Sequence, residues 1–201
     1  MRLFLLDRDG VVVVNRRNNI KRPADLALIE GAAEGIRRLN AAGITVAICT
    51  NQPEVARGAM TSSQLEAVHR HLIDRLQDQG AAIDRIFSCT SQLRCPMKKP
   101  APGMLVQALR AYGASACETP YVGDQADDLK AAFHAGCTRI LVRTGLGTET
   151  LDAGLPSWVA PVAIHDNLAE AVAHYLAARV VRARRRPHSE RVSRVERTGR
   201  E

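Results

Sequence analysis

The stretch LFLLDRDGVVVV, from Leu3 to Val14, decides the fold of this chain. An apolar run ends abruptly in two aspartates, Asp7 and Asp9, with Arg8 between them and Gly10 directly after. A short strand that is apolar on both faces is typical of the buried centre of a parallel sheet. In such sheets, ligands gather beyond the carboxyl ends of the strands. The stretch therefore predicts a buried strand with a polar site at its end.

Strand and helix patterns alternate along the rest of the chain. Strands are expected at residues 2–6, 44–49, 83–88, 120–122 and 139–142, and helices at 31–40, 61–79, 102–112, 124–135 and 165–181. This alternation predicts an α/β fold, a doubly wound parallel sheet with helices on both faces. These elements fill the intervals between the strand ends, so we expect no cap domain. The loops at 16–22 and 88–97 are the candidates for covering the site.

The positive charge is concentrated at the end of the chain. The sequence has 201 residues and a net charge of +7, and residues 179–201 contribute +6 through nine arginines and three glutamates. Residues 1–178 are therefore nearly neutral and suffice for one domain. The segment 179–201 is expected to be a disordered tail, with weak contact to polyanions as its only expected interaction. No specific nucleic-acid partner is predicted.

Cysteine usage and hydropathy bear on the compartment. The five cysteines are an odd number without the spacing of a disulfide scaffold, which favours a reducing environment. No apolar run approaches the roughly 20 residues that a membrane-spanning helix needs, and the first residues are too short an apolar run for a signal peptide. We therefore expect a cytoplasmic protein with no membrane partner.

Polar side chains follow four of the predicted strands, and they should meet at one edge of the sheet. The groups are Asp7 and Asp9, then Thr50, Asn51 and Gln52, then Lys98 and Lys99, and finally Asp124, Gln125, Asp127 and Asp128. Acids this close repel one another unless a cation neutralises them, and oxygen ligands suit Mg²⁺. Because Mg²⁺ binds phosphate oxygens and Thr50 and Lys99 add a donor and a positive charge, the edge is predicted to bind a phosphate group.

The same residues suggest a reaction. No serine or cysteine is placed for attack, so the carboxylate of Asp7 is the candidate nucleophile, which would form an aspartyl phosphate that water then cleaves. Asp9 could protonate the leaving oxygen and afterwards deprotonate the water. Asp128 is interpreted as a supporting residue behind the metal ligands, and Asp127 as an acid that suits the start of a helix. His69 and His71 are interpreted as surface residues.

The segments DRDG, TNQ, KKPAPGM and VGDQADD, in this order, resemble the four motifs of the haloacid dehalogenase phosphatase superfamily. Within it, TNQ with a later ARG, a cysteine-containing loop and KPxPGM are similar to the D-glycero-D-manno-heptose 1,7-bisphosphate phosphatases and the related histidinol phosphatases. The resemblance implies Mg²⁺ held by Asp7, the main-chain carbonyl of Asp9, and Asp124. It implies a small phosphorylated sugar as substrate, in the synthesis of ADP- or GDP-heptose for lipopolysaccharide or surface polysaccharide. The residues expected to contact substrate are Arg8, Thr50, Asn51, Gln52, Lys98, Lys99 and Gln125.

The chain departs from the family pattern in the cysteine loop. The family often holds zinc there through four ligands, of which Cys89 and Cys95 are present while Ser91 and Met97 replace the other two. Two ligands cannot build a four-coordinate zinc site, so we expect this loop to be free of zinc.

Further departures concern the substrate pocket. Pro53 and Glu54 replace a Ser-Gly pair, Lys98 replaces an arginine, and Gln125 stands where a lysine is common. Because lysine lacks the bidentate fork of arginine, the binding of a second phosphate is expected to differ from that in the family. The basic residues Arg16, Arg17 and Lys21 are candidates for contacting that distal phosphate.

Three alternative functions stay open at this point. Histidinol phosphatase shares every predicted catalytic residue. A polynucleotide 3′-phosphatase also carries TNQ, but residues 1–178 are nearly neutral and the whole chain has only three Phe, three Tyr and one Trp for base stacking. A non-catalytic phosphate-binding protein would have no need for mutually repelling acids.

Overall fold

A computed structural model describes residues 2–16 and 19–185, the last four of them by their backbone alone. The strands are β1 (Leu3–Leu6), β2 (Thr45–Asn51), β3 (Arg85–Cys89), β4 (Pro120–Gly123), β5 (Thr138–Val142) and β6 (Val162–His165). The helices are α1 (Ala32–Ala41), α2 (Ser62–Gln77), α3 (Gly103–Ala111), α4 (Ala126–Ala135), α5 (Gly147–Asp152) and α6 (Leu168–Arg185).

The six strands form one parallel sheet in the order β3-β2-β1-β4-β5-β6. The four residues of β1 are all buried, as expected for a central strand. The strand order reverses between β1 and β4, and at such a switch point a crevice opens beyond the carboxyl ends. The Asp7 amide donates to the Val122 carbonyl (2.8 Å), which ties the end of β1 to β4. The predicted doubly wound α/β class is confirmed.

Helices cover both faces of the sheet. Residues of α1, α2 and α6 belong to one hydrophobic core, and residues of α3 and α4 belong to a second core on the other face. Helix α2 was predicted at residues 61–79, and its apolar residues Leu65, Val68, Leu72 and Leu76 are buried. Thr61 and Gln64 form a reciprocal capping box at its start. The spacing of the apolar residues and the capping box account for the inner face and the start of this helix.

Three elements differ from the sequence-based expectations. The short helix α5 was not predicted. Strand β6 was not predicted either: its apolar run is only three residues long, and its residues are half-buried or exposed at the sheet edge. Helix α6 continues through Arg185, so residues 179–185 are helical and do not belong to a disordered tail. Residues 186–201 of the predicted tail lie outside the described residues. Within residues 2–16 and 19–185, no cap domain interrupts the sheet, and none of the helices is both long and apolar enough to cross a bilayer.

The middle of α6 is anchored to the centre of the sheet. The Tyr175 ring packs edge-to-face on Phe4 of β1, with the ring centroids 5.0 Å apart and an interplanar angle of 73°. The Arg179 guanidinium donates to the Tyr175 hydroxyl (3.1 Å) and lies over its ring. Arg179 therefore helps to hold the helix against the core, although the sequence placed it in the tail.

Truncation tests where the folded unit ends. A chain ending at Arg185 should keep its thermal midpoint to within about 2 °C, because every contact just described lies before the cut. A chain ending at Ala178 should melt lower by roughly 2–4 °C, the shift expected for a loss of about 1 kcal/mol in a protein of this size. Scanning calorimetry of both chains beside the full chain measures this difference. Equal midpoints for the two truncated chains would show that Arg179 does not stabilise the fold.

Candidate active site

Most of the polar residues expected at one edge of the sheet line a single cleft of about 250 Å³, whereas Lys98 lines a neighbouring groove. The carboxylate of Asp124 has an oxygen within 4.8 Å of oxygens of Asp7 and Asp128. Asp7 follows β1, Thr50 is the sixth residue of β2, Lys99 lies in the loop after β3, and Asp124 follows β4. These four side chains and that of Asp128 are all buried. Elements from both halves of the sheet are therefore needed to assemble the cleft.

Lys99 is the central cation of this cluster. Its Nζ lies 2.7 Å from Asp7 Oδ1 and 2.6 Å from Asp128 Oδ1, and it donates to the Tyr121 hydroxyl (2.9 Å). Burial opposes the charged ammonium, but the adjacent Asp128 and Asp7 carboxylates outweigh it and raise the pKa of Lys99. Lys99 is therefore held positively charged beside the carboxylate of Asp7.

One ammonium does not balance the buried acids. Burial raises the pKa of Asp7 to about 8, and the charges of Asp128 and Asp124 add to this shift although Lys99 opposes it. Burial, followed by the charge of Asp128, raises the pKa of Asp124 to about 7. Asp124 Oδ1 is buried without a hydrogen-bond partner among the described residues. Oxygen atoms of Asp7, Asp124 and Asp128 lie within 4.8 Å of one another, so the donor set fits a hard divalent cation.

The carboxylate of Asp124 is held in place by neighbouring loops. Its Oδ2 accepts hydrogen bonds from the Leu146 amide (2.8 Å) and from Asn15 Nδ2 (3.1 Å). Gly10 and Gly145 both have positive φ and lie so close that a Cβ on either would overlap this carboxylate. The sequence did not identify the loop at Gly145, since residues 143–146 contain no acid, histidine or cysteine that would mark it.

The loop after β5 also clamps the end of β1. Thr144 Oγ1 donates to the Gly10 carbonyl (2.7 Å), across 134 positions of sequence, and Thr150 Oγ1 donates to the Asp124 carbonyl (2.8 Å). These two hydroxyls fix the backbone on both sides of the switch point.

Asp9 lies at the more open side of the cleft. The buried Arg8 donates to both of its carboxylate oxygens (2.8–3.1 Å), and Gln52 Nε2 donates to Oδ2 (2.9 Å). Arg8 NH1 also lies 3.3 Å from His69 Nε2. Burial and then the charge of Arg8 lower the pKa of His69 to about 4, so its neutral ring can accept this hydrogen bond. The interpretation of His69 as a surface residue was wrong, because α2 turns this side chain inward against Arg8.

Several predicted substrate contacts are occupied by other interactions. The Asn51 side chain bonds the main chain of Lys99 in both directions, donating to its carbonyl (3.0 Å) and accepting from its amide (3.1 Å). The Lys98 Nζ donates to the Gln92 carbonyl (2.7 Å) within its own loop. Exposed Asp127 pairs with Lys130 (3.1 Å), whereas Asp128 accepts from the Gln125 amide (3.0 Å). Asn51 is therefore placed to orient Lys99.

The mouth of the cleft contains residues that were not among the expected catalytic, metal-binding or substrate-binding residues. Glu54 is buried there, and its Oε1 accepts from Asn19 Nδ2 (2.5 Å) and from Arg57 NH1 (3.3 Å). Arg57 belongs to the ARG segment that carried the family resemblance. That segment was the sequence signal by which Arg57 could have been predicted at the cleft. Arg16 and Lys21 are absent from the described lining of the cleft, and Arg17 lies outside the described residues.

The cysteine loop adjoins the cleft and borders a groove of about 760 Å³. The Cys89 and Cys95 sulfurs are 3.6 Å apart, and the Ser91 hydroxyl donates to the Leu93 carbonyl (3.1 Å). That this loop holds no zinc remains a prediction. Basic side chains of the loop and of α4 line the groove, namely Arg94, Lys98, Lys130 and His134.

Comparison with known proteins places the fold and the cleft in one class. The model of the HAD-hydrolase-like family, the haloacid dehalogenase class of hydrolases, matches residues 96–171. A crystal structure of the D,D-heptose 1,7-bisphosphate phosphatase from Bordetella bronchiseptica, complexed with magnesium and phosphate, superimposes with a TM-score of 0.83 at 36% identity. The superposition covers 89% of this chain and 99% of that chain. The corresponding phosphatase from Burkholderia thailandensis gives a TM-score of 0.70 at 32% identity, covering 88% and 99%.

Sequence relatives narrow the class further. The D-glycero-beta-D-manno-heptose-1,7-bisphosphate 7-phosphatase of B. bronchiseptica is 39% identical over 159 residues, which are 78% of this chain and 89% of that one. The enzyme of the same name from Pseudomonas aeruginosa is 39% identical over 156 residues, covering 77% and 88%. The chain belongs to the heptose bisphosphate phosphatase family of haloacid dehalogenase-like hydrolases.

Alanine substitutions at two glycines test whether the close approach of Gly145 positions the Asp124 carboxylate. Gly145→Ala should lower Mg²⁺ affinity by roughly 10- to 100-fold, because the added Cβ displaces the Asp124 carboxylate, and shifts in the groups around metal ligands have effects of this size. Gly154→Ala is the matched control, since Gly154 also has a positive φ but no atom within 4 Å of an added Cβ. Calorimetric titration of both variants with Mg²⁺ gives the affinities. Equal losses of Mg²⁺ affinity in the two variants would mean that backbone strain, and not contact with Asp124, causes the effect.

Proposed function

We propose that this protein is a Mg²⁺-dependent phosphatase that removes the 7-phosphate of D-glycero-D-manno-heptose 1,7-bisphosphate through an aspartyl phosphate on Asp7. One observation carries the proposal: Asp7, Thr50 and Lys99 line one cleft at the carboxyl-end side of the sheet, and a carboxylate oxygen of buried Asp124 lies within 4.8 Å of one of Asp7. The named activity of relatives at 39% identity over most of both chains supports the choice of substrate.

Asp7 would be the nucleophile. It immediately follows β1, and Lys99 lies 2.7 Å from its Oδ1. Lys99 would stabilise the negative charge of the transferring phosphoryl group, while Asp128 and Tyr121 hold the ammonium in place. The Thr50 hydroxyl, which accepts from Gln52 Nε2 (3.0 Å), would donate its own proton to a phosphate oxygen.

Asp7, Asp124 and the main-chain carbonyl of Asp9 would hold the Mg²⁺. When bound, Mg²⁺ would neutralise the buried acids and polarise the phosphoryl oxygens. The orphaned Asp124 Oδ1 and the raised pKa values of Asp7 and Asp124 support a cation at this place. The magnesium and phosphate in the related B. bronchiseptica structure support it independently.

Asp9 would act as the general acid and base. It would protonate the bridging oxygen as the phosphoryl group moves to Asp7, and would then take a proton from the water that cleaves the aspartyl phosphate. Arg8 and Gln52 hold its carboxylate, and neutral His69 supports the Arg8 guanidinium. Arg8 therefore positions Asp9 in this scheme, although it was expected to contact the substrate.

The groove beside the cleft would receive the second phosphate. Its basic side chains suit a dianion, and Lys98 would reach that dianion by exchanging its hydrogen bond to the Gln92 carbonyl for one to a phosphate oxygen.

The five cysteines are free thiols in the structure, which suits the reducing cytoplasm. We therefore propose that the reaction takes place in the cytoplasm, with a soluble phosphorylated sugar as the substrate.

Asp7→Asn is the test of the nucleophile. The amide neither attacks phosphorus nor supplies a charged metal ligand, so turnover should fall by at least about 10⁴-fold, as for other enzymes that lose their nucleophile. Phosphate release is followed with the heptose bisphosphate, while circular dichroism checks the fold. Multiple turnover by this variant, with deamidation excluded by mass spectrometry, would rule out the aspartyl phosphate.

Substitutions of the two adjacent lysines distinguish contact with the reacting phosphate from contact with the second phosphate. Lys99→Ala should slow every substrate, whereas Lys98→Ala should lower kcat/KM by roughly tenfold for the bisphosphate and leave a simple monophosphate ester nearly unchanged. Histidinol phosphate and a 3′-phosphorylated oligonucleotide complete the panel. A preference of the wild-type protein for histidinol phosphate would contradict the proposed substrate while leaving the phosphatase chemistry standing.

A further inference from the structure

A second cluster of potential metal ligands lies apart from the catalytic cleft. It combines His165, the last residue of β6, with Glu170 and His174 on the first turns of α6. One ligand atom from each residue lies within 4.8 Å of the others. None of the three lines the cleft or the basic groove.

His165 provides an unsatisfied buried atom that faces the other two residues. Its side chain is only 10% exposed, and its Nδ1 is buried without a hydrogen-bond partner among the described residues. The same Nδ1 lies 3.9 Å from Glu170 Oε1, beyond hydrogen-bond distance. The His174 ring stands edge-on to it, with centroids 4.7 Å apart and an interplanar angle of 85°. A buried polar atom of this kind normally has a partner.

Glu170 is held in an orientation that suits a ligand. Its Oε2 accepts from the Asp166 amide (2.7 Å), and its own amide donates to Asn167 Oδ1 (3.0 Å). Arg143, the basic residue nearby, pairs with Asp166 (3.2 Å). Among the side chains of residues 2–16 and 19–181, no lysine or arginine forms an ion pair with Glu170. Its Oε1 is therefore available to a cation.

We propose that His165, Glu170 and His174 form a second metal site, for a divalent d-block cation such as Zn²⁺. Two imidazoles and one carboxylate suit Zn²⁺ better than Mg²⁺, which prefers oxygen ligands. The spacing from Glu170 to His174 places both on the same side of α6. Metal–ligand bonds of about 2.0–2.2 Å require these atoms to approach by roughly 1 Å from the separations seen, which side-chain rotation provides. Water completes the coordination, because His174 is exposed.

The protonation states favour binding. Burial and then the charge of His174 lower the pKa of His165, so its ring is neutral at pH 7. The Asp166 amide lowers the pKa of Glu170, which keeps the carboxylate ionised. Metal binding then displaces few protons. It would fasten the edge strand β6 to the start of α6.

Zinc titration tests the site. The full chain carries Cys89→Ser and Cys95→Ser, to remove competing thiolates, and is saturated with Mg²⁺, to occupy the catalytic acids. Titration with Zn²⁺ should show one site per chain with a dissociation constant in the low micromolar range or below. At a 100-fold excess of free Zn²⁺ over this constant, the thermal midpoint should rise by roughly 5–10 °C.

Single substitutions decide where the zinc is bound. His174→Ala and Glu170→Gln should each weaken binding by at least about tenfold, and both positions tolerate change because neither side chain is fully buried. His71→Ala, which removes a histidine of α2, should leave the affinity unchanged. Absence of binding, or one zinc site whose affinity neither substitution alters, would overturn the proposal. Activity on the bisphosphate plays no part in this test, so it stands apart from the proposed function.

Discussion

The ammonium of Lys99, buried between the carboxylates of Asp7 and Asp128, is the interaction on which the rest of the site depends. Removing one partner of a buried ion pair typically costs about 3–5 kcal/mol, because the remaining charge is left uncompensated. Here the ammonium faces more than one acid, and Asp124 adds a third buried carboxylate close by. The arrangement is stable with a second cation, and a protein without metal or phosphate chemistry would have no physical reason to keep it.

The sheet makes this concentration of charge tolerable. At the switch point between β1 and β4, the carboxyl ends of the strands border a crevice, and the polar cleft lies there. The side chains that set the geometry are mostly neutral. Asn51 bonds both main-chain groups of Lys99, and Gln52 joins Thr50 to Asp9. Uncharged amides thus orient the charged groups without adding charge to the cluster.

The sequence predicted the parts of the fold that burial dictates. The inner strands and the face of α2 carry strong apolar patterns, and the acids at the strand ends followed from the rule for parallel sheets. It did not predict β6, whose edge position requires no apolar run, or the inward turn of His69. The contact of Gly145 with Asp124 was also missed, because it depends on the path of a distant loop. Local patterns report burial and turn chemistry, whereas packing between remote segments leaves no signal in one sequence.

The bond from Thr144 to the Gly10 carbonyl joins segments that are 134 positions apart. During synthesis, Asp7 emerges from the ribosome long before Asp124 and the loop that holds it, so the acids of the N-terminal half lack their final partners until the later segments have been made. Contacts of such long range form late in folding, after the entropy of closing the intervening chain has been overcome. The acid cluster that would hold Mg²⁺ in the proposed mechanism therefore forms late in assembly, and binding of Mg²⁺ there would report that the two halves of the sheet have joined.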